Sequence, residues 1–328
     1  MRMKKTPATF IVLSFLIATA FLAFITGTST AQKAQLVPLF SITGADIVPK
    51  LNRPSDVFID EKHSEIYVVD QGNKRVVVFD INGRYQYQFA TPAKLGRPSG
   101  LVINNRDEIL LAIGGKVACY DFRGRLLEYV KFHGLPSSEK VYATRLKIDR
   151  NNSYYILDTK KRRVLVFDTD GNFKFAITNE SLPKVKRMVK GKEQEEPMVK
   201  SLSISDICLD DEGMIYLVDY LAARVFVFSS NGEYLRSIGK PGSVFDTLSF
   251  PNGVAVDIQG RLLVVDTMGH GILGYDKKGK LLFALGGFGK SEGWFYYPRY
   301  ISTDRNGRIY VVEPFLGRIQ VLSIKTLS

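Results

Sequence analysis

The sequence predicts an all-β chain folded as a six-bladed β-propeller of four-stranded antiparallel blades. Three observations carry this. A segment of the form apolar-x-apolar-Asp or -Asn recurs six times, ending at Asp60, Asn104, Asp149, Asp210, Asp257 and Asp304, at spacings of 44, 45, 61, 47 and 47 residues. Each copy is followed by two β-prone runs and a turn glycine that leads to a further strand. The sixth copy stops after its third strand, and a matching fourth strand stands near the start of the chain.

The runs after each acid are IYVVD (66–70), ILLAI (109–113), YYILD (154–158), IYLVD (215–219), LLVVD (262–266) and IYVVE (309–313). Third runs follow at 75–80, 116–121, 163–168, 224–229, 271–276 and 318–323, and turn glycines at Gly83, Gly124, Gly171, Gly232 and Gly279. Val, Ile, Tyr and Phe between Asn-Gly, Asp-Gly and Lys-Gly turns are hairpin chemistry. LVPLFSITG (36–44) resembles the fourth strand KLLFALGG (280–287), so the N-terminal strand is expected to close the ring in the last blade. Such closure removes an exposed sheet edge.

The composition is that of an ordinary globular chain: 328 residues, 45% hydrophobic and 24% charged, which argues against a disordered or multi-spanning chain. Two Cys exclude a disulfide framework and a four-Cys metal site, and three His leave little room for a His-rich centre. Cys119 and Cys208 fall in non-adjacent blades and are expected to be buried free thiols.

Ahead of the repeats, Arg2, Lys4 and Lys5 precede an apolar run, Phe10 to Ile25, and Ser29 and Ala31 supply small residues for a cleavage site. This pattern is that of a secretory signal. The run falls just short of a spanning helix, so an uncleaved N-terminal anchor remains the alternative. The expected organisation is a signal peptide or anchor over 1–31 and a propeller over 32–328, exported to the periplasm or another extracytoplasmic space. Removing 1–31 takes the net charge from +12 to +9, which favours acidic partners. Nucleic acid is not expected there, and membrane contact is expected only through the N-terminal segment.

An acid ends the second strand and Arg follows five residues on in four blades: Asp70 and Arg75, Asp158 and Arg163, Asp219 and Arg224, Glu313 and Arg318. Repetition round a ring marks these as structural, partly exposed hairpin pairs worth up to about 1 kcal/mol each. Blade 2 (Ile113, Lys116) and blade 5 (Asp266, Gly271) break the pattern.

The repeats resemble the NHL repeat family across 36–328. P-x-G-(V/L)-x-(V/I)-D at 251–257, IY(V/L)VD, R-(V/I)-x-V-(F/L) and the Gly-rich GGFGKSEGWFYYP (286–298) carry the likeness. The resemblance implies a binding platform for protein or RNA, while related six-bladed propellers include metal-dependent lactonases and a peptide-amidating lyase.

A lyase-like centre would need converging His, but His63 is expected on the opposite face from His133 and His270. The fourth position of each first strand faces the channel mouth: Asp56, Gly100, Arg145, Asp206, Gly253 and Tyr300, with Asn252 and Arg299 one position before and Arg53 and Arg97 at the strand starts. Arg outnumbers acid here, which suits recognition of an anionic group. The alternative is a calcium- or zinc-dependent hydrolase or lyase on Asp56 and Asp206. GFGKS (287–291) lacks both the first glycine and the following helix of a phosphate-binding loop.

The long spacing before Asp210 places an insertion at about 178–201, whose Lys184, Lys186, Arg187, Lys190 and Lys192 form a basic arm on the mouth side. A docking arm or lid and a solvated loop are both open readings of it. The expectation is a non-catalytic module for a protein or an anionic surface polymer, without a cofactor.

Overall fold

The computed structural model describes residues 34–136, 138–189, 192–244 and 246–327. The expected leader over 1–31, and Lys190 of the arm, lie outside the described residues. The chain forms six four-stranded antiparallel blades whose strands pair in chain order. Blade 1 is Pro54–Asp60, Glu65–Asp70, Arg75–Asp80 and Tyr85–Ala90, and blade 2 is Pro98–Ile103, Ile109–Ile113, Lys116–Tyr120 and Leu126–Tyr129. Blade 3 is Arg145–Ile148, Tyr154–Asp158, Arg163–Phe167 and Phe173–Ile177. Blade 4 is Ile204–Leu209, Ile215–Asp219, Arg224–Phe228 and Tyr234–Ile238. Blade 5 is Pro251–Val256, Leu262–Asp266, Gly271–Tyr275 and Leu281–Gly286. Blade 6 takes Tyr300–Thr303, Arg308–Glu313 and Arg318–Thr326 from the end of the chain and its outer strand, Ala34–Ile42, from the beginning.

The closing strand runs from Ala34 opposite Thr326 to Ile42 opposite Ile319, with a bulge between Pro38 and Phe40. Proline is tolerated there because an outermost strand has no neighbour to receive the lost N–H. The second and third strands read as unbroken apolar runs because both of their faces are covered by neighbouring blades. Six apolar clusters result, each shared by two adjacent blades, including one between blades 6 and 1. The outer strands alternate instead, as in the largely exposed YQYQFA of Tyr85–Ala90.

The recurring acids serve the backbone. At the turns between first and second strands, Asp60, Asn104, Asp149, Asp210, Asp257 and Asp304 each accept two backbone N–H groups of their own turn. This local capping is why Asp and Asn dominate those positions. The acids that end the second strands do a different job. Asp70 accepts from Asn52 N (2.8 Å), Asp219 from Ser203 N (2.8 Å), Asp266 from Phe250 N (2.9 Å) and Glu313 from Tyr296 N (2.7 Å). Every donor belongs to the connector that leads into the same blade.

This corrects the expected hairpin pairs in two respects. Arg75–Asp70 (2.7 Å), Arg163–Asp158 (3.4 Å) and Arg318–Glu313 (2.5 Å) do meet, but their acids are fully buried rather than partly exposed. In blade 4 the pair does not close. Asp219 is occupied by the backbone N–H groups of Ser203, Leu221 and Ala222, and Arg224 turns to the Ser237 hydroxyl (3.3 Å). In blades 1, 4, 5 and 6 the constant element is the buried carboxylate holding the connector, with Arg an optional counter-charge, whereas Asp158 of blade 3 accepts from Lys161 N of its own turn. Blade 5 keeps the acid without Arg, and in blade 2, which lacks the acid, the Gly115 carbonyl receives Ala143 N (2.9 Å) of the connector into blade 3.

The insertion is a two-stranded hairpin, Lys184–Val189 with Lys192–Pro197. Its basic strand faces an acidic one, with Lys186 near Glu193 (3.4 Å) and Arg187 near Glu196 (3.9 Å). Met198 and Val199 at its base pack with Phe175 and Tyr234 of the outer strands of blades 3 and 4.

If the carboxylate is the working part, Asp219→Ala should cost about 3 kcal/mol, because three backbone donors lose their acceptor. Arg224→Ala should cost about 1 kcal/mol or less. Urea unfolding of both variants checks this, and equal losses would restore the acid–Arg pair as the stabilising unit.

Candidate functional site

The first strands meet at the axis, and their fourth positions form one layer across the shaft. Arg145 spans it. Its guanidinium lies 3.0 Å from Asp56 and 3.6 Å from Asp206, donates to the Ser55 carbonyl (2.7 Å) and stacks on the Tyr300 ring at 3.5 Å. Blades 1, 3, 4 and 6 are thereby tied through one side chain. The remaining two positions are Gly100 and Gly253, and they must be small. A Cβ on Gly253 would lie 2.8 Å from the Tyr300 Cα, and one on Gly100 would lie 3.2 Å from the Arg145 Cα.

Asp56, Arg145 and Asp206 are all deeply buried. Burial opposes the charge of Arg145, but Asp56 and then Asp206 outweigh it and raise its pKa. Burial pushes the Asp206 carboxyl up, and Arg145 offsets this only in part. Each acid also receives a backbone N–H from the next blade: Asp56 from Leu101 (3.0 Å) and Asp206 from Val254 (3.2 Å). The guanidinium therefore occupies the position between the two carboxylates that a divalent ion would need. Among the described residues no group of three His, Cys, Asp or Glu side chains is arranged to hold a metal. The residues present do not fit a calcium or zinc centre.

This layer divides the shaft. Below it is a mainly apolar cavity of about 210 Å3 lined by Phe58, Ile148, Cys208, Ala255 and Ile301, with Lys147. Above it, on the mouth side, opens a polar cleft of about 490 Å3. One ring of residues, each a position before the fourth of its first strand, lines that cleft: Ser55, Ser99, Thr144, Ser205, Asn252 and Arg299. Arg145 and Tyr300 form part of its floor, and Gln71, Arg162, Tyr220 and Phe250 complete the wall.

The cleft contains three Arg and no carboxylate. Arg162 donates to the Ser201 hydroxyl (2.6 Å), and neither Arg162 nor Arg299 has an acid within ion-pair reach among the described residues. Thr144 and Ser205 donate to backbone carbonyls at 2.8 Å, which leaves their oxygen lone pairs facing the space. The buried Ser55 hydroxyl has no partner. Such a site offers cations and hydroxyls to an anionic, oxygen-rich group.

Of the residues expected at the mouth, Arg145, Asn252, Arg299 and Tyr300 line the cleft, and Asp56 and Asp206 lie in the layer beneath. Arg53 and Arg97 are exposed and line no part of it. None of the described residues of the hairpin lines it either. Arg162 and the hydroxyl ring were missed. The signal was available, since Ser, Ser, Thr, Ser, Asn and Arg recur at one register of the repeat.

The three His do not converge among the described residues. His63 bonds Asp60 at 2.7 Å in a turn of blade 1, His133 bridges to Asn172, and His270 packs among aromatic rings. Cys119 and Cys208 are free thiols, each pushed up to about 11 by burial. Cys208 is only partly buried by exposed area, unlike Cys119.

Two outcomes are expected. Arg145→Leu strands two buried carboxylates and should cost about 3–5 kcal/mol in chemical unfolding, whereas an isostere-like loss below about 1 kcal/mol would show the layer to be dispensable. The hydrogen bond and charge of Asp60 raise the His63 pKa, so the protonated ring is favoured in the folded state. That contribution is fully present below the unfolded value of about 6.5 and is lost as pH rises through the folded value. The Tm deficit of His63→Ala should therefore be larger near pH 5.5 than near pH 8, and a deficit independent of pH would contradict the pairing.

Comparison with known proteins agrees with the fold. A family model described as a 6-bladed beta-propeller (DUF5128) matches residues 196–283. No curated protein sequence matches the chain. Virginiamycin B lyase from Staphylococcus aureus is similar in structure, with a TM-score of 0.55 at 13% identity over 90% of this chain and 99% of the lyase. A protein of unknown function from Bacteroides thetaiotaomicron has a TM-score of 0.60 at 13% identity, over 90% of this chain and 76% of that one. A luciferin-regenerating enzyme has a TM-score of 0.55 at 11% identity, over 90% and 96%. The chain shares a β-propeller fold with these proteins.

Proposed function

We propose that this chain is an exported, non-catalytic binding module of NHL-repeat type, acting in the periplasm or another extracytoplasmic space. It takes an anionic group of a protein or surface polymer into the mouth cleft. The observation that carries this reading is the cleft with three Arg and no carboxylate. Arg162 and Arg299 are the expected contacts, because Arg145 is already committed to Asp56 and Asp206. The hydroxyl ring would receive the remaining polar groups of the ligand. In the basic strand Lys184–Val189, Lys186 and Arg187 each face a glutamate of the partner strand, which makes it the lesser candidate for the anion. Export rests on the basic, apolar and small-residue succession of residues 1–31.

A second reading, a hydrolase or lyase at the same mouth, draws on the enzymes among the structural neighbours. In its calcium or zinc form it requires Arg145 to leave the space between Asp56 and Asp206.

The discriminating test uses a fluorescent acidic peptide and a labelled polyuronate as probes. Arg162→Glu and Arg299→Glu should each weaken capture about tenfold or more, as loss of a charge-assisted contact does. Lys186→Glu should change it little. Unchanged capture in both Arg variants would remove the cleft from consideration. Stoichiometric metal in the purified protein, lost in Asp56→Asn together with turnover of a lactone or ester, would favour the enzyme.

A further inference from the structure

The mouth face around the cleft is unevenly built. The connectors into blades 1 and 2 present Lys50, Arg53, Lys94 and Arg97, all exposed. None has a carboxylate within ion-pair reach among the described residues. The adjoining side, over blades 5 and 6, is aromatic. Met268, Phe288, Trp294 and Phe315 are 54%, 63%, 51% and 69% exposed.

Phe288 and Phe315 are joined through two intervening rings. Phe288 lies 4.9 Å from the His270 ring, His270 lies 4.7 Å from Tyr297, and Tyr297 lies 5.7 Å from Phe315. Trp294 lies over the Gly287–Gly289 backbone, where a Cβ on Gly287 would be 2.7 Å from its ring. Met268 and Phe315 stand on turns of two different blades, and Phe288 and Trp294 on the connector between them. Leu221, at 68% exposed, continues the apolar side onto blade 4. Residues so exposed on separate loops at one end of a ring present a broad face.

We propose that this face rests on an anionic phospholipid bilayer. The aromatic side would enter the interfacial layer, where Trp and Phe are favoured, and the four cations would meet the headgroups. Both halves of the face are used by this one partner. An exposed aromatic patch also suits a protein, but the flanking cations are spread over two connectors and match a sheet of negative charge better than a single acidic site. The inference does not depend on what the cleft binds.

Trp294 is the only tryptophan of the chain, so intrinsic emission reports this face alone. The experiment adds vesicles of phosphatidylcholine containing about one-third phosphatidylglycerol to the full chain, with brominated lipid as quencher. Trp294 emission should shift to the blue and be quenched. Phe288→Ser with Phe315→Ser should need about tenfold more lipid for the same response, because binding scales with the apolar area inserted. Circular dichroism checks that the double variant is folded, and Arg53→Glu with Arg97→Glu gives a second variant outside the aromatic patch that should also weaken the response. Protein that floats with the vesicles while Trp294 emission stays unchanged would overturn the proposal, since attachment would then lie elsewhere. An equal response to pure phosphatidylcholine would overturn it too. So would a lipid-free dimer abolished by the double Ser variant, which would assign the face to a second copy.

Discussion

The packing of this ring depends on one buried cation. Six first strands converge at the axis of a propeller, and whatever side chains they present there must fill the shaft without leaving polar groups stranded. Here a single Arg from blade 3 reaches Asp56 of blade 1 and Asp206 of blade 4 and stacks on Tyr300 of blade 6. The two blades that contribute nothing to this layer carry glycine, which admits the backbone of their neighbours. Charge, stacking and the two small residues are one arrangement. A larger residue at Gly253 would disturb Tyr300, and through it the surface on which Arg145 rests.

The repeat explains the acids almost completely. Those at the turns hold their own backbone, and those that end the second strands of blades 1, 4, 5 and 6 hold the incoming connector. The connectors carry only short 3-10 turns such as Ala93–Leu95 and Asn179–Ser181, so a buried carboxylate accepting connector N–H groups helps to fix them. It also leaves the mouth with few free acids. The cleft is positive because the repeat has committed its carboxylates elsewhere, while Arg162 and Arg299 line it.

Periodicity made the blades legible, including the closing strand at 34–42, because second and third strands covered on both faces must be apolar throughout. The layer at the shaft was legible in part. The register identified Asp56, Arg145, Asp206 and Tyr300 as neighbours, yet which acid Arg145 would meet depends on side-chain reach across the axis, and no spacing encodes that. Arg162 escaped notice because it lies in a turn of blade 3 among other basic residues, and only the fold turns it towards the cleft. The arm was read by its Lys content, whereas its cross-strand Glu residues, visible at 193, 195 and 196, decide its structure and much of its charge. The aromatic face was invisible for a related reason: Phe288, Trp294 and Phe315 come from two loops and two blades, and adjacency arises only when the ring closes.

An internal guanidinium differs from a metal in one respect that matters for the cleft. It cannot be exchanged or deprotonated under ordinary conditions, so the floor keeps its shape whatever ions are present. Asp56 and Asp206 more than balance its charge, so the floor itself supplies no attraction for an anion. An anion entering from the mouth would then be attracted chiefly by Arg162 and Arg299, whose charges are not cancelled locally. Both are exposed, as the cations of the rim are, but they converge on one cleft beside Tyr220, Phe250 and Tyr300. The same reasoning separates the two surfaces of this face. The cleft is built for a compact group held at short range, and the rim, with its dispersed cations and exposed rings, for a broad surface held by many weak contacts.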